Sequence, residues 1–156
     1  MQPERHVPLP GLFSICQNLV EDELFARLAD AGYPEVRPVH GCVFGTIGDG
    51  GDRLTALAER ARMTKQSVGE VVSELEQLGY VERVADPSDG RAKIIKLTDR
   101  GQGAYELGYA IFDEIEKRWE KRYGAERVRD ALAMLRDVVD EADQTGYLHR
   151  LGGLAA

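Results

Sequence analysis

Two groups of polar residues in the middle of the chain have types and spacing suited to chemistry. Thr64-Lys65-Gln66-Ser67 offers two hydroxyls, an ammonium and a carboxamide, and Asp89-Gly90-Arg91 offers a guanidinium on a turn. Such donors bind phosphate oxygens and base edges, and an arginine on an exposed turn can enter a minor groove. The two groups therefore indicate contact with nucleic acid.

The chain lacks the residue patterns of an enzyme, such as a nucleophile beside a base. Residues 48–52 are rich in glycine but lack the lysine and following helix of a phosphate-binding loop. Cys16 and Cys42 do not have the paired spacing of a zinc site. The histidines are scattered, at His6, His40 and His149. We expect no enzymatic activity, no cofactor and no metal.

Short helices and a hairpin are predicted to position the two polar groups. Thr55 is expected to cap a helix over residues 56–61, and Thr64 to cap a recognition helix over residues 65–78 that Gly79 ends. The second helix has a narrow apolar stripe made of Val68, Val71, Val72, Leu75 and Leu78. Strands over 80–84 and 92–97, on either side of the turn sequence 86–90, are expected to form a wing over residues 80–97.

Longer helical patterns flank this central unit. They cover residues 11–31 and, more weakly because of proline and glycine, 35–47. A long helix begins at Thr98-Asp99 and is interrupted at Gly124, and a last helix covers 125–143. The expected fold class is mainly α with a small β-hairpin wing, a winged helix-turn-helix flanked by N- and C-terminal dimerisation helices.

The outer helices predict a homodimer. Their apolar stripes are too long to be buried on a core of ~50 residues, so a second subunit is expected to cover them. A two-fold dimer would also present two recognition helices to paired half-sites. The expected parts are an N-terminal dimerisation helix (1–34), a winged helix-turn-helix domain (35–101), C-terminal dimerisation helices (102–146) and a tail (147–156).

Charge is distributed unevenly along the chain, whose formal net charge is −7. Residues 53–101 hold nine of the twenty lysines and arginines and only eight of the twenty-seven acidic residues, so this segment is slightly basic. Because salt screens charges beyond ~8 Å, the local balance sets the attraction to phosphate. The acidic excess therefore does not exclude DNA.

The chain has the composition of a folded protein without membrane segments. Apolar residues make up 43% of it, and no apolar run is long enough to cross a bilayer. The N-terminus lacks the apolar core of a signal peptide. We expect a cytoplasmic protein.

The middle of the chain resembles the MarR family of transcriptional regulators, which are dimeric winged helix-turn-helix proteins. The resemblance rests on Leu54-Thr55-x-Leu57-Ala58-Glu59, Thr64-x-x-Ser67-Val68, Leu75-Glu76-x-Leu78-Gly79-Tyr80-Val81-Glu82-Arg83, Asp86-Pro87-x-Asp89-x-Arg91 and Leu97-Thr98-x-x-Gly101. The Asp-x-Arg of the wing tip and the closing Leu-Thr-x-x-Gly are its most specific parts. The flanking helices match in order and length, not in residues.

The resemblance implies a surface for double-stranded DNA. Arg91 would enter the minor groove, and Asp89 would hold that arginine and its turn through a charge-assisted hydrogen bond. The start of the recognition helix would accept a phosphate, while Lys65 and Gln66 would reach base edges. The full set of implied DNA-binding residues is Thr64, Lys65, Gln66, Ser67, Arg83, Asp89, Arg91 and Lys93, with Arg83 and Lys93 near backbone phosphates.

Glu70 departs from the family, many of whose members carry a basic residue there. Its carboxylate would repel phosphate, or accept a hydrogen bond from a cytosine amine. Together with the acidic balance it supports an alternative, a winged-helix protein-interaction module that does not bind DNA. The interpretation we favour is a ligand-responsive repressor on a pseudo-palindromic operator.

Family members often bind small aromatic or anionic effectors between the winged module and the dimer helices. Residues that could line such a pocket here are Phe13, His40, Phe44, Tyr105 and Tyr109, although core and interface packing is the simpler interpretation of the aromatic ones. A lone histidine more often bonds a backbone carbonyl. One branch of the family senses hydroperoxides through an N-terminal-helix cysteine, but Cys16 lies in an apolar stripe. We expect both Cys16 and Cys42 to be buried and structural.

Overall fold

The computed structural model describes residues 7–144, and in that range six α-helices surround a three-stranded sheet. The elements are α1 (Leu9–Asp30), a 3-10 turn (Pro38–His40), α2 (Gly41–Phe44), β1 (Asp52–Arg53), α3 (Leu54–Ala61), α4 (Lys65–Gln77), β2 (Val81–Asp86), β3 (Asp89–Leu97), α5 (Asp99–Tyr123) and α6 (Ala125–Gln144). The expected class, mainly α with a small β wing, is confirmed. The tail expected over 147–156 lies outside the described residues.

Helix α4 begins and ends where local signals predict. The Thr64 hydroxyl oxygen accepts the backbone N–H of Ser67 at 3.1 Å, which satisfies one of the free donors of the first turn. Gly79 takes φ +79°, the left-handed conformation that closes a helix. The apolar stripe is buried through Val68, Val71, Val72 and Leu75. Local capping and periodicity therefore determine this helix.

Helix α3 starts earlier than predicted. It begins at Leu54, and its N-cap is Arg53, whose side chain makes no capping bond. The prediction that Thr55 caps this helix is wrong, because β1 leads directly into the first turn. At the other end Arg62 takes φ +52°, ψ +44° and turns the chain towards α4.

The single helix predicted over residues 35–47 is wrong. A 3-10 turn and the single-turn helix α2 occupy this stretch, separated from α1 by an irregular segment. Pro38 starts the turn, where its fixed φ and missing N–H are tolerated. The helical pattern of residues 35–47, which proline and glycine weaken, therefore forms two short helical segments instead of one helix.

The wing has one strand more than the hairpin predicted. Strand β1 pairs antiparallel with β3, with Asp52 opposite Ile95, and the strand order is β1-β3-β2. Strands β2 and β3 also approach the turn more closely than the predicted 80–84 and 92–97, with a shift in pairing at Ala85 and Asp86. A third strand matters because an isolated two-stranded hairpin is marginally stable in water.

Helices α1 and α5 cross over the winged unit. Their crossing buries apolar residues from both helices: Leu24, Leu28, Ala104, Ile111 and Ile115. Two ion pairs fasten the edges of this crossing. The Arg118 guanidinium binds both carboxylate oxygens of Glu23, at 3.0 and 2.5 Å, and Arg27 lies 2.7 Å from Glu114. The C-terminal half of α1 is thereby fixed within the chain.

The N-terminal half of α1 and much of α6 expose apolar side chains. Side chains on these faces that are about half exposed or more include Leu12, Phe13, Ile15, Leu19, Met134, Val138 and Val139. No helix in residues 7–144 is long and apolar enough to span a bilayer. These faces are instead the surfaces that the sequence assigns to a partner subunit.

The two cysteines differ from the prediction and from each other. Cys16 is exposed within this chain, so its predicted burial is wrong here, because α1 packs on α5 through its C-terminal half. Cys42 is half-buried in α2, and burial raises the pKa of its thiol. A raised pKa disfavours the reactive thiolate form of Cys42.

Gly101 brings the first turn of α5 against the base of the wing. A Cβ at this position would lie 1.9 Å from the carbonyl oxygen of Tyr80. Thr98 fixes the approach, because its backbone N–H donates to that carbonyl at 3.1 Å and its hydroxyl accepts the Gly101 N–H at 3.1 Å. The closing Leu-Thr-x-x-Gly motif is therefore a close backbone contact.

We predict that Gly101→Ala lowers the free energy of unfolding by about 3 kcal/mol or more, at the upper end for overpacking, because backbone must move to admit the methyl group. Urea denaturation followed by circular dichroism measures the change. Gly90→Ala is the matched control, since no atom lies within 4 Å of the place its methyl group would take and its φ is not in the left-handed region. Equal stability of the two variants would contradict the role given to Gly101.

Candidate nucleic-acid interface

The start of α4 contains two half-buried hydroxyls and two exposed polar side chains. The Thr64 and Ser67 hydroxyls lie 2.8 Å apart and both residues are half-buried. Lys65 and Gln66 are exposed, and the Gln66 amide donates to Glu70 at 3.3 Å. Thr64 and Ser67 therefore shape the helix start, whereas Lys65, Gln66 and Glu70 present the polar groups available to a ligand.

The wing tip presents Arg91 to solvent. Residues 87–91 are all exposed, and an Asp89 carboxylate oxygen accepts the backbone N–H of Arg91 at 3.1 Å. The bond expected between Asp89 and Arg91 thus goes to the backbone amide and leaves the guanidinium unoccupied. Asp89 shapes the turn, and Arg91 extends from it.

The turn of the wing is held by a buried carboxylate, Asp86 at the end of β2, whose side-chain contacts the sequence did not predict. Asp86 is 6% exposed and accepts from Nε of Arg53 at 2.7 Å, with Nη2 at 2.5 Å. Ser88 donates to its other oxygen from the hydroxyl at 2.7 Å and the backbone N–H at 2.8 Å. The Ser88 bonds, followed by Arg53, lower the pKa of Asp86 to about 2. Arg53 of β1 and the turn are therefore joined through one side chain.

Ion pairing divides the basic residues of this region into two groups. Arginines with an acidic partner are Arg53 with Asp86, Arg60 with Asp52, Arg83 with Glu76 and Arg100 with Glu35. Within residues 53–101, the cations that have no acidic partner within 4.0 Å among the described residues are Arg62, Lys65, Arg91, Lys93 and Lys96. Arg83 also donates to the Ser73 hydroxyl at 3.1 Å, so it links the wing to α4. Lys65, Arg91 and Lys93 of the predicted set are the ones left free for phosphate.

Arg62 is a further candidate that residue spacing did not signal. Its left-handed backbone conformation costs about 1–2 kcal/mol in a residue other than glycine. It stands in the turn between α3 and α4 with an exposed, unpaired side chain. Such local strain clusters at functional positions, which makes Arg62 a candidate phosphate contact beside Lys65.

A cavity of about 240 Å³ lies between α1, α2 and α5. Of the residues predicted to line a pocket, Phe44, Tyr105 and Tyr109 line it. Phe13 does not, because it is on the uncovered half of α1, and His40 does not, because its ring is buried towards α4. Phe112 of the same aromatic group also lines the cavity, and so does Arg37, which was not predicted.

His40 is fully buried, and one of its ring nitrogens has no hydrogen-bond partner. Nδ1 accepts the backbone N–H of Arg37 at 3.1 Å, where a bond to a carbonyl was the common expectation. Nε2 lies 3.6 Å from a carboxylate oxygen of Glu74 on α4. Burial lowers the pKa of His40, and Glu74 partly opposes this by raising it.

This arrangement defines a winged helix-turn-helix protein: a helix capped at its exposed polar end, a preceding helix joined to it by a tight turn, and a wing with a free arginine. A sequence model of the MarR family matches residues 36–92, which contain these parts. Over these residues the chain is similar to the MarR family.

Individual relatives agree with this assignment. The transcriptional regulator HosA of Escherichia coli O111:H- is 27% identical over 90 residues, which is 58% of this chain and 67% of HosA. FabT of Streptococcus pneumoniae, solved in complex with DNA, has a TM-score of 0.72 at 19% identity, over 86% of this chain and 94% of FabT. The MarR-family protein Rv2887 of Mycobacterium tuberculosis, solved with p-aminosalicylic acid, has a TM-score of 0.59 at 23% identity, over 84% and 98%.

We predict that Asp86→Asn destabilises the protein at neutral pH, because the charge that Arg53 and Ser88 bind is lost. The folded-state pKa of about 2 lies below the ordinary 3.8, so the stabilisation is complete above pH 3.8 and is lost as pH falls through 2. The stability difference from wild type should therefore shrink as pH falls from 3.8 towards 2. Urea denaturation at a series of pH values measures it.

Glu82→Gln is the control, because Glu82 is an exposed carboxylate of the same strand, β2. It should change stability little at any of these pH values. A deficit in Asp86→Asn that stays constant with pH would show that the carboxylate charge is not what holds the wing.

Proposed function

We propose that this protein is a dimeric, sequence-specific DNA-binding transcriptional regulator that acts as a ligand-responsive repressor in the cytoplasm. The observation that carries the proposal is which cations are paired with acidic side chains and which are exposed and unpaired. Arginines of the scaffold are paired with acids, whereas Lys65 at the start of α4 and Arg91 at the wing tip are exposed and unpaired. HosA is described as a transcriptional regulator and FabT was solved in complex with DNA, and both relatives support the same function.

In this proposal α4 lies in the major groove and the wing reaches the adjoining minor groove. Lys65 and Gln66 would contact base edges, and Arg91 would enter the minor groove. Lys93 and Arg62 would neutralise phosphates, which supplies much of the affinity. Thr64, Ser67, Asp89 and Arg83 would act by fixing the helix start, the turn and the wing.

Glu70 would contribute to sequence preference in this arrangement. Its carboxylate is exposed on the same helix and is bonded to the Gln66 amide at 3.3 Å. A carboxylate held there can accept from a cytosine or adenine amine but repels a phosphate. The Gln66–Glu70 pair therefore favours contacts with DNA bases over general attraction to the DNA phosphate backbone.

The dimer is proposed to form through α1, α5 and α6, with residues 35–101 as the DNA-reading part. The exposed apolar side chains of α1 and α6 are too numerous for the free surface of a monomer. A two-fold pair would cover them and place two α4 helices on successive half-sites.

The cavity between α1, α2 and α5 is proposed as the effector site. Its lining is apolar and aromatic, with Phe44, Tyr105, Tyr109 and Phe112 around it and Arg37 among the lining residues. The complex of Rv2887 with p-aminosalicylic acid supports a small aromatic effector.

We predict that Arg91→Ala weakens binding to a duplex selected from random sequences by about 1–3 kcal/mol, because a minor-groove contact is lost. Fluorescence anisotropy at several salt concentrations measures the affinity and its salt slope. Lys117→Ala, which removes an exposed cation from the middle of α5, is the charge-matched control. A flat salt dependence for the wild type would favour the protein-interaction alternative, and an unchanged affinity for Arg91→Ala would remove that residue from the interface.

We predict that Leu19→Glu converts the dimer to monomers and lowers DNA affinity, because a charge would be buried on the α1 face. Leu19 is 63% exposed in the single chain, so the substitution should not unfold it. Sedimentation equilibrium gives the mass. Ser14→Glu, on the polar side of α1 with Gln17 and Glu21, should remain dimeric, and a dimeric Leu19→Glu would rule out this face.

A further inference from the structure

A second cavity, of about 190 Å³ and with a polar lining, lies between the loop over residues 48–51, the C-terminal end of β3 and the first turns of α5. Two of its lining residues carry opposite charges, Asp49 of the loop and Lys96 of β3. Neither side chain has an oppositely charged partner within 4.0 Å among residues 7–144, so they do not pair with each other either. The cavity therefore contains one acidic and one basic group that the fold does not use.

Lys96 does not pair with the acid that is nearest to it in the sheet. Glu82 lies directly opposite Lys96 in the pairing of β2 with β3. Opposite charges in such a cross-strand position usually attract each other, since the Cβ atoms are about 5 Å apart. Here Cγ of Lys96 packs on the loop instead, 2.6 Å from the place that a Cβ of Gly51 would take. The half-buried stem of Lys96 thus lies across the loop that borders the cavity.

The loop that carries Asp49 is anchored at both ends. At its start the backbone N–H of Gly48 donates to the Asp52 carboxylate at 2.7 Å. At its end Gly51 takes φ +90°, and a Cβ there would collide with the carbonyl oxygen of Ile95, so the loop backbone packs directly on β3. Asp49 is therefore presented by a preformed turn, which lowers the entropic cost of binding a ligand.

Helix α5 contributes neutral polar groups to the same cavity. Nε2 of Gln102 donates to Glu106 at 2.8 Å, which leaves the Gln102 carbonyl oxygen as an acceptor. The pKa of Tyr105 is raised by a hydrogen bond with Tyr109, by burial and by the negative charge of Asp49. The contribution of Asp49 indicates that its carboxylate lies near the Tyr105 hydroxyl, on the cavity side of the loop.

We propose that this cavity binds the zwitterion of a short-chain α-amino acid. The ligand carboxylate binds the Lys96 ammonium group, and the ligand ammonium group binds the Asp49 carboxylate. The ligand side chain lies against Ile47 and Leu97, which are the apolar part of the lining. The site is separate from the cavity between α1, α2 and α5, although Tyr105 borders both.

Charge and size select this class of ligand. A zwitterion offers a counter-charge to both side chains, whereas a simple anion would leave Asp49 beside it unpaired and a simple cation would do the same to Lys96. A neutral polar molecule would leave both charges without a partner. A volume of about 190 Å³ corresponds to about six water molecules of ~30 Å³ each, which admits a short side chain and excludes an indole.

The first experiment measures ligand binding to the full chain by NMR. L-threonine is titrated into ¹⁵N-labelled protein, and the backbone amide signals of Gly50 and Gly51 should shift saturably. L-threoninamide lacks the carboxylate and should bind about tenfold more weakly. N-acetyl-L-threonine lacks the ammonium group and should bind about threefold more weakly, because Asp49 is exposed and its attraction is screened.

Two variants test which charge binds which group. Lys96→Gln should weaken L-threonine about tenfold and remove its advantage over L-threoninamide, while its advantage over the N-acetyl derivative remains. Asp49→Asn should weaken L-threonine about threefold and remove only its advantage over the N-acetyl derivative. A merely structural role would weaken all three ligands alike. Lys117→Gln, which removes an exposed cation of α5 outside the cavity, should bind like the wild type.

Three results would overturn the proposal. They are the absence of a saturable shift with L-threonine or L-serine up to about 10 mM, equally tight binding of L-tryptophan, and a Lys96→Gln variant that still distinguishes L-threonine from L-threoninamide. The titration uses no DNA and does not depend on the proposed function. If random-duplex selection yields no bound DNA, the proposed function fails and this site is still tested.

Discussion

The wing depends on one buried carboxylate that joins three parts of the chain. Asp86 holds Arg53 of β1 and both the hydroxyl and the backbone of Ser88. Without this group Arg53 would lose its contact with β2, and the attachment of β1 to the hairpin that it stabilises would be weaker. Arg83 then ties β2 to Ser73 and Glu76 of α4. The wing is therefore joined to β1 and to the C-terminal half of α4 by polar and ionic contacts.

The same contacts explain how a chain of net charge −7 can present a phosphate-binding surface. Within residues 53–101, several acids are paired with arginines that hold the fold together, and the unpaired cations lie at the turn before α4, at its start and on the wing. Net charge adds all these groups without regard to position, whereas attraction to phosphate falls off within about a Debye length. The distribution of paired and unpaired cations is thus more informative than their sum.

Features set by neighbouring residues could be predicted from the sequence, and features set by distant ones could not. Thr64, Thr98 and Gly79 act within one helical turn, so α4 and the start of α5 were placed correctly. The Arg53–Asp86 and Arg37–Glu74 pairs join residues 33 and 37 positions apart, and spacing gives no sign of them. The predicted burial of Cys16 is wrong for a related reason, because an apolar stripe in the sequence does not show whether the same chain covers that stripe.

A second ionic cluster lies at the base of the wing. The buried Tyr80 hydroxyl donates to Glu35 at 2.8 Å, and Arg100 binds the Glu35 carboxylate at 2.9 Å and the Tyr80 oxygen at 3.1 Å. Burial raises the pKa of Tyr80 to about 12, so its hydroxyl stays protonated and keeps donating to Glu35 across the physiological pH range. It joins the start of α5, the base of the wing and the segment after α1. Helix α4 is joined to the segment after α1 by a different ion pair, between Arg37 and Glu74.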